Sequence, residues 1–399
     1  MQYKKSIWPS YSREEINACK KVLESGRVNY WTGDLCKQFE KEFALFADTK
    51  YAISLANGTV AIDLALKALN ITEGDEVIVT SRSFIASVSS IINAGAKPIF
   101  ADVCRNSQNI KSSSIQKLIS KKTKAILCVH LAGFPCQMDK IIKLAKQNNL
   151  YVIEDCAQAH GAKFRGKSVG SFGDIGCWSF CQDKIMSTGG EGGMVTTNNK
   201  KLWDKMWSFK DHGKSYKEVH RKNHQEGFRW LHNSFGTNWR MIEMQAAIGL
   251  IQLKKINNWT KKRNQNQNTI WNTCKNFKSL RVPKFNEKSW KYYHKDNVHA
   301  AYKCYVFIEE DFLKDGWNRS RVIKEISKKN ILCYSGSCSE IYLEKAFNDT
   351  ALKPKKRLKI AKELGETSLM FLVHPNQTKK EITLTCRAIS DVMEQATKN

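Results

Sequence analysis

No apolar run in the sequence approaches the roughly 20 residues that a membrane-crossing helix needs, so no span is expected. Its thirteen cysteines include no C-x-x-C pair, and neither Cys177/Cys181 nor Cys333/Cys338 has histidine partners at ligand spacing, which argues against a metal site. The start, Met1-Gln2-Tyr3-Lys4-Lys5, leads into a polar segment and lacks the apolar core of a secretory signal. Most cysteines sit inside apolar runs, as at Cys128, Cys177 and Cys304, where a free thiol behaves as a small buried hydrophobe. A reduced, cytoplasmic protein is expected, with no disulfide framework. No internal repeat is present, nor a low-complexity segment long enough to suggest disorder.

Acidic residues are also scarce: 38 stand against 65 lysines and arginines, a formal charge of +27. Such an excess suits a nucleic acid, a membrane surface or an anionic small molecule. The lysines are spread along the chain, and runs such as Lys261-Lys262-Arg263 and Lys353-Pro354-Lys355-Lys356-Arg357 are short. With no clustered basic stripe or nucleic-acid motif, they read as a solvated surface, and neither nucleic acid nor membrane is expected as a partner.

The chain does contain a regular alternation. Tyr51–Leu55, Glu76–Val79, Lys97–Phe100, Ala125–Val129 and Tyr151–Ile153 have strand character and are separated by helical stretches such as Ile85–Asn93 and Met138–Ala145. Alternation of this kind predicts an α/β fold whose sheet is covered on both faces, with ligands at the carboxyl ends of the strands. Upstream, Ser12 followed by Glu15 is a capping-box signal for a helix continuing through Val22-Leu23. Beyond Asn238-Trp239-Arg240-Met241 a long helix is predicted from about 242 to 263, followed by an asparagine-rich piece at 264–268. Tyr302–Ile308 reads as a strand, and Glu381–Met393 as a terminal helix. At 399 residues the chain suits a large α/β domain over 1–250 and a smaller α+β domain over 251–399.

The stretch Val152–Thr197 holds the chemistry. One strand pattern ends on Glu154-Asp155; a second, Ile175–Phe180, leads to Lys184 and a glycine-rich turn, Gly189-Gly190-Glu191-Gly192-Gly193. An acid at one strand end, a hydroxyl and a lysine beyond another, and a loop free of bulky side chains are the requirements of a pyridoxal 5′-phosphate site. The lysine forms the Schiff base, and the acid keeps the pyridinium nitrogen protonated. Gly58-Thr59, at a strand-to-helix turn, is a candidate phosphate cradle. Metal is not expected to take part.

Asp155-x-x-Gln158, Gly173-Asp174-x-Gly176-x-x-Ser179-Phe180 and Lys184 followed by Gly-Glu-Gly-Gly resemble the DegT/DnrJ/EryC1/StrS sugar aminotransferases, and the similarity extends over almost the whole chain. It implies an aspartate-aminotransferase-like (fold type I) large domain with a mostly parallel sheet. It also implies that Gly58, Thr59 and Ser179 bind the cofactor phosphate, Phe84 stacks on its ring, Asp155 and Gln158 meet the ring nitrogen and phenolic oxygen, and Lys184 is catalytic. The segment Gly236–Met241 resembles one whose asparagine, here Asn238, reaches the neighbouring subunit's cofactor, implying a homodimer with shared active sites. His130–Pro135 and Asp211-His212-Gly213 match turns beside the site, although His130 reads equally as a core histidine. Gly33-Asp34 replaces a usual Gly-Pro, and the glycine turn has one residue more than is common. The implied activity moves an amino group from glutamate to a nucleotide-linked keto sugar, for surface polysaccharide or lipopolysaccharide O-antigen synthesis. A pyridoxal phosphate-dependent lyase or sugar dehydratase is the alternative; relatives that dehydrate carry histidine in place of the lysine.

Overall fold

The apolar segments between Tyr51 and Thr197 pair into a single seven-stranded sheet in a computed structural model describing residues 6–223, 226–285 and 294–398. Residues Met1–Lys5 lie outside the described residues. The strands are β1 (Tyr51–Leu55), β2 (Glu76–Thr80), β3 (Lys97–Ala101), β4 (Thr123–Val129), β5 (Tyr151–Asp155), β6 (Ile175–Ser179) and β7 (Gly193–Thr197). Their order across the sheet is β1-β7-β6-β5-β4-β2-β3, and β7 alone runs against the others. The fold is therefore the fold-type-I α/β arrangement expected. Register aligns the strand ends: Asp155 pairs laterally with Val129 on one side and Cys177 on the other.

Helices cover both faces. They are α1 (Arg13–Glu24), α2 (Leu35–Phe46), α3 (Gly58–Ala68), α4 (Ala86–Asn93), α5 (Met138–Gln147) and α6 (Lys200–Phe209). One face packs Leu64, Val79, Leu127 and Ile153 with Trp207 of α6; the other packs Phe39 and Phe43 of α2 on Trp178 and Phe180. Each such side chain contributes about 1.5–3 kcal/mol by leaving water. The expected capping box begins α1: the Glu15 carboxylate accepts from the main-chain N–H and the hydroxyl of Ser12, each at 2.5 Å.

The predicted helix at 242–263 is longer than its pattern suggests: α7 runs from Glu243 to Cys274. Asparagine side chains usually compete with the helix for main-chain groups. Here Asn264 Nδ2 donates to the carbonyls of Thr260 and His299, at 2.9 and 2.6 Å, and Asn266 Nδ2 to that of His374, at 3.2 Å. The amides are thus engaged, and the helix continues through them. Its first half packs on α2, where a Cβ on Gly249 would stand 2.7 Å from the Phe39 ring. Its second half places Ile270, Trp271 and Cys274 in another core.

That core belongs to a second sheet of β8 (Leu280–Arg281), β9 (Cys304–Ile308), β10 (Cys333–Tyr334) and β11 (Ser368–Phe371), in the order β8-β9-β11-β10. It is packed by α8 (Arg319–Lys328), α9 (Lys359–Thr367) and α10 (Lys379–Ala396). Among the described residues no helix is long and apolar enough to cross a membrane, and the thirteen cysteines are free thiols.

Glu154 and Asp155 point to opposite faces of the sheet, as strand alternation requires. Glu154 is fully buried, and its carboxylate accepts from the N–H groups of Gly170, Phe172 and Gly173 at 2.7–2.9 Å and from His130 Nε2 at 3.0 Å. Glu154→Ala strands all of these donors. The expected loss is roughly 3–5 kcal/mol in urea denaturation, the cost of breaking a buried charged network from one side; a loss below about 1 kcal/mol would show that water satisfies the loop equally well.

Candidate functional site

The carboxyl ends of β1, β4, β5 and β6 and the turn after β2 open onto one cavity of about 700 Å³. Gly58, Thr59, Phe84, Asp155, Gln158, Ser179 and Lys184 all line it, so the structure gathers the sequence candidates apart from Asn238. Another cleft, of about 680 Å³, lies between α8 and α10, but Lys329 and Asp391 on its wall pair with each other at 2.8 Å. Asp155, Asp183, Lys184 and Glu191 line the strand-end cavity.

At one corner α3 begins. Asn57 caps it, its Oδ1 accepting from Val60 N–H at 3.0 Å. The N–H groups of Gly58 and Thr59 then lie in the first turn, where a helix offers unpaired donors and a positive dipole to an anion. A Cβ on Gly58 would lie 2.5 Å from Ser179 Cβ, and one on Gly193 would lie 2.2 Å from the Asn57 carbonyl oxygen. Only glycines let α3 approach the end of β6 so closely, and the approach sets the Ser179 hydroxyl beside the helix start.

Asp155 is 6% exposed. Its Oδ2 accepts from Ser87 Oγ at 2.8 Å and its Oδ1 from Ala157 N–H at 3.0 Å; Ser83 Oγ lies 2.6 Å from Ser87 Oγ behind it. Burial holds the carboxyl above the usual carboxylate range, against the pull of the Ala157 N–H, the Ser87 hydroxyl and Lys184. Gln158 Oε1 accepts from Ala132 N–H at 2.8 Å, which turns Nε2 the other way, towards Cys338 Sγ at 3.7 Å. Phe84 is 62% exposed despite its size, because its ring forms part of the cavity wall.

Lys184 Nζ lies 3.4 Å from Asp183 Oδ1 and 5.3 Å from the centre of the Tyr302 ring. The Tyr302 hydroxyl donates to Asp183, so a residue just before β9 closes the lysine side of the cavity. Burial pushes the Asp183 carboxyl up, but Lys184, the Tyr302 hydroxyl and Lys303 outweigh it and leave the group below its ordinary value. Burial pushes the Lys303 amine down to about 8. The longer glycine turn brings Gly189 and Gly190 to φ of 90° and 128°, conformations open to glycine, and leaves Glu191 on the cavity wall.

His130 is a core residue. Its Nδ1 accepts from Cys136 N–H at 2.9 Å, so its proton is on Nε2, which donates to Glu154. The ligand atoms of His130, Glu154 and Cys156 lie within 4.8 Å of one another, yet this donor set is already committed to main-chain and mutual hydrogen bonds. Asp211 is buried away from the cavity and ion-pairs with Arg240 at 2.7 Å. With Gly213, whose φ is 83°, it pins the segment carrying Asn238. Asn238 is exposed and outside its own chain's cavity.

Sequence reasoning missed Ser83, Ser87, Asp183, Tyr302, Ser337 and Cys338, all on the wall. Ser83 and Ser87 were legible as a four-residue spacing entering a helix beside Phe84, and Asp183 as the neighbour of Lys184. Tyr302, Ser337 and Cys338 carried no local signal.

The sequence profile of the DegT/DnrJ/EryC1/StrS aminotransferase family matches residues 9–390. The structure is similar to that of an aminotransferase from Psychrobacter cryohalolentis, with a TM-score of 0.96 and 56% identity, covering 98% of this chain and 99% of that one. The GDP-perosamine synthase of Escherichia coli O157:H7 is 43% identical over 265 residues, 66% of this chain and 70% of its own length. The dTDP-3-amino-3,6-dideoxy-alpha-D-galactopyranose transaminase of Aneurinibacillus thermoaerophilus is 39% identical over 255 residues, 64% of this chain and 66% of its own.

Because burial raises the Asp155 pKa, the folded chain holds this proton more tightly than the unfolded chain does. Stability from the group is therefore greatest in acid and falls as the pH rises through the raised value. Asp155→Asn removes that loss. The cofactor-free variant is expected to melt above the parent at neutral pH, with the difference closing as the pH falls towards the ordinary carboxyl value of 3.8. A variant that melts lower at neutral pH would show that the ionised carboxylate is stabilising here. Gly58→Ala is expected to weaken pyridoxal phosphate binding at least about tenfold in fluorescence titration, since the methyl group forces the start of α3 away from Ser179; unchanged affinity would place the phosphate elsewhere.

Proposed function

Because the chain belongs to the DegT/DnrJ/EryC1/StrS aminotransferase family, and is a pyridoxal 5′-phosphate-dependent aminotransferase of the nucleotide-sugar class, we propose that it moves the amino group of glutamate to a keto deoxysugar on a nucleoside diphosphate. The product serves a surface polysaccharide or lipopolysaccharide O-antigen. The observation that carries this reading is the convergence, in one cavity, of a lysine amine, a buried strand-end carboxylate and an open helix start.

In this reading the Gly58 and Thr59 amides and the Ser179 hydroxyl hold the cofactor phosphate, and Phe84 lies against the ring. Asp155 pairs with the ring nitrogen, and the Gln158 amide meets the phenolic oxygen. Asn238, exposed and outside its own cavity, reaches the phosphate held by a second copy, so the working unit is a homodimer. Bound pyridoxal phosphate supplies an electron sink for the charge left when a bond to the amine-bearing carbon breaks.

The chain's own residues do the rest. The Ser87 hydroxyl and the Ala157 N–H fix the Asp155 carboxylate with one side towards the cavity. Lys184 Nζ takes and returns the proton at the carbon that gains or loses nitrogen. Asp183 and the Tyr302 ring keep Nζ in reach of that carbon between exchanges. Ser337 and Cys338, on the second-sheet side, bound the space left for the sugar. The excess of 27 positive charges favours arrival of a diphosphate-bearing substrate.

Lys184→Ala is expected to bind pyridoxal phosphate without a covalent link and to lose turnover by roughly 10³-fold, the scale of a removed acid–base group. Full turnover in the variant would sink the assignment. With a panel of nucleotide keto sugars, glutamate and amino sugar should change in equal amounts. Loss of the keto sugar with no glutamate consumed would replace this reading with elimination.

A further inference from the structure

The segment before α1 runs from the second sheet to the lysine turn. The Ser6 N–H and hydroxyl each donate to the Glu381 carboxylate, at 2.7 Å, in the first turn of α10. Asn376 Nδ2 donates to the Ile7 carbonyl at 3.0 Å and to Ser10 Oγ at 2.6 Å. Between these anchors, Trp8 Nε1–H donates to the main-chain carbonyl of Lys184 at 2.8 Å. Three residues on, the Tyr11 hydroxyl lies 3.2 Å from Ser187 Oγ.

The Trp8 indole is itself held from three sides. Trp259 meets it edge to face at 5.1 Å, the His374 ring stacks at 6.2 Å, and the Arg263 guanidinium lies 4.9 Å from its centre. Trp259 and Arg263 are four residues apart on α7, hence on one face. A ring fixed this firmly presents its N–H in one direction. The Lys184 N–H donates to the Cys181 carbonyl at 3.0 Å, so with Trp8 on the carbonyl both main-chain groups of the lysine are held.

We propose that Trp8 is a positioning residue for Lys184. Its indole N–H fixes the main chain at the lysine so that Nζ stays where Asp183 and Tyr302 hold it, and the N-terminal segment thereby ties the lysine to α7 and the second sheet. This rests on the assignment of Lys184 as the lysine that bonds the cofactor. A flexible four-carbon side chain delivers its amine reproducibly only when its Cα is fixed. A surface strap that served stability alone would leave the amine's reactivity unchanged.

The test is stopped-flow mixing of the full-length apoprotein with pyridoxal phosphate, using parent and Trp8→Phe, which keeps an aromatic ring in the stack and lacks the N–H. A first, concentration-dependent phase reports capture of the phosphate and ring. A second, concentration-independent phase reports addition of Lys184 Nζ to the aldehyde carbon with loss of water. Trp8→Phe is expected to leave the first phase within about twofold and to slow the second by about fivefold or more, the factor set by one lost hydrogen bond. An unchanged second phase overturns the proposal. So does a parallel weakening of both phases with a lower urea midpoint, which marks a residue that only supports the fold. Borohydride trapping of the parent followed by peptide mapping separates the two claims: a label on a lysine other than Lys184 sinks the site assignment and this proposal with it, whereas a label on Lys184 leaves the kinetics to decide.

Discussion

Two carboxylates buried side by side at the end of one strand are the constraint on which the rest depends. Neighbouring strand residues face opposite ways, so Glu154 and Asp155 need separate compensation. Glu154 has it in full, from three main-chain N–H groups and a histidine, and in accepting them it folds the loop that leads into β6. Asp155 is given only a hydroxyl and one N–H, and burial keeps its proton affinity high. The first acid builds the frame, and the second is left with a side on which a cation can be held.

Around that acid the cavity draws on both sheets. The strand ends supply Gly58, Thr59, Asp155 and Ser179, whereas the lysine side is closed by Tyr302 through its bond to Asp183. The two sheets are joined by one continuous helix, α7, and by the N-terminal segment that returns from α10. A change in how they sit is therefore felt at Lys184 through Asp183 and through the main chain.

Much of this was legible in the sequence, for a physical reason. Parallel strands put their ligand-binding residues at their carboxyl ends, so Gly58, Asp155 and Ser179 stand where an apolar run gives way to a turn. The work of Glu154 was not legible, because its donors arrive 16 to 19 residues later in a loop with no periodicity. The two-residue strands β8 and β10 are too short for alternation to show. The extent of α7 beyond about 263 was not legible, because the tertiary acceptors of Asn264 and Asn266, the carbonyls of His299 and His374, are distant in sequence. The bond from Trp8 to Lys184 spans 176 residues and leaves no local trace.

The lysine turn hangs between β6 and β7, which are hydrogen-bonded neighbours third and second from the β1 edge of the sheet. Its ends are fixed by the register of that pair, and the additional residue is taken up inside the turn, where Gly189 and Gly190 adopt φ of 90° and 128°. The second-sheet loop carrying Ser337 and Cys338 follows a two-residue strand at that sheet's edge. The two sides of the cavity are therefore held differently: the lysine turn is closed at both ends by paired strands, whereas the loop carrying Ser337 and Cys338 leaves its sheet from the edge.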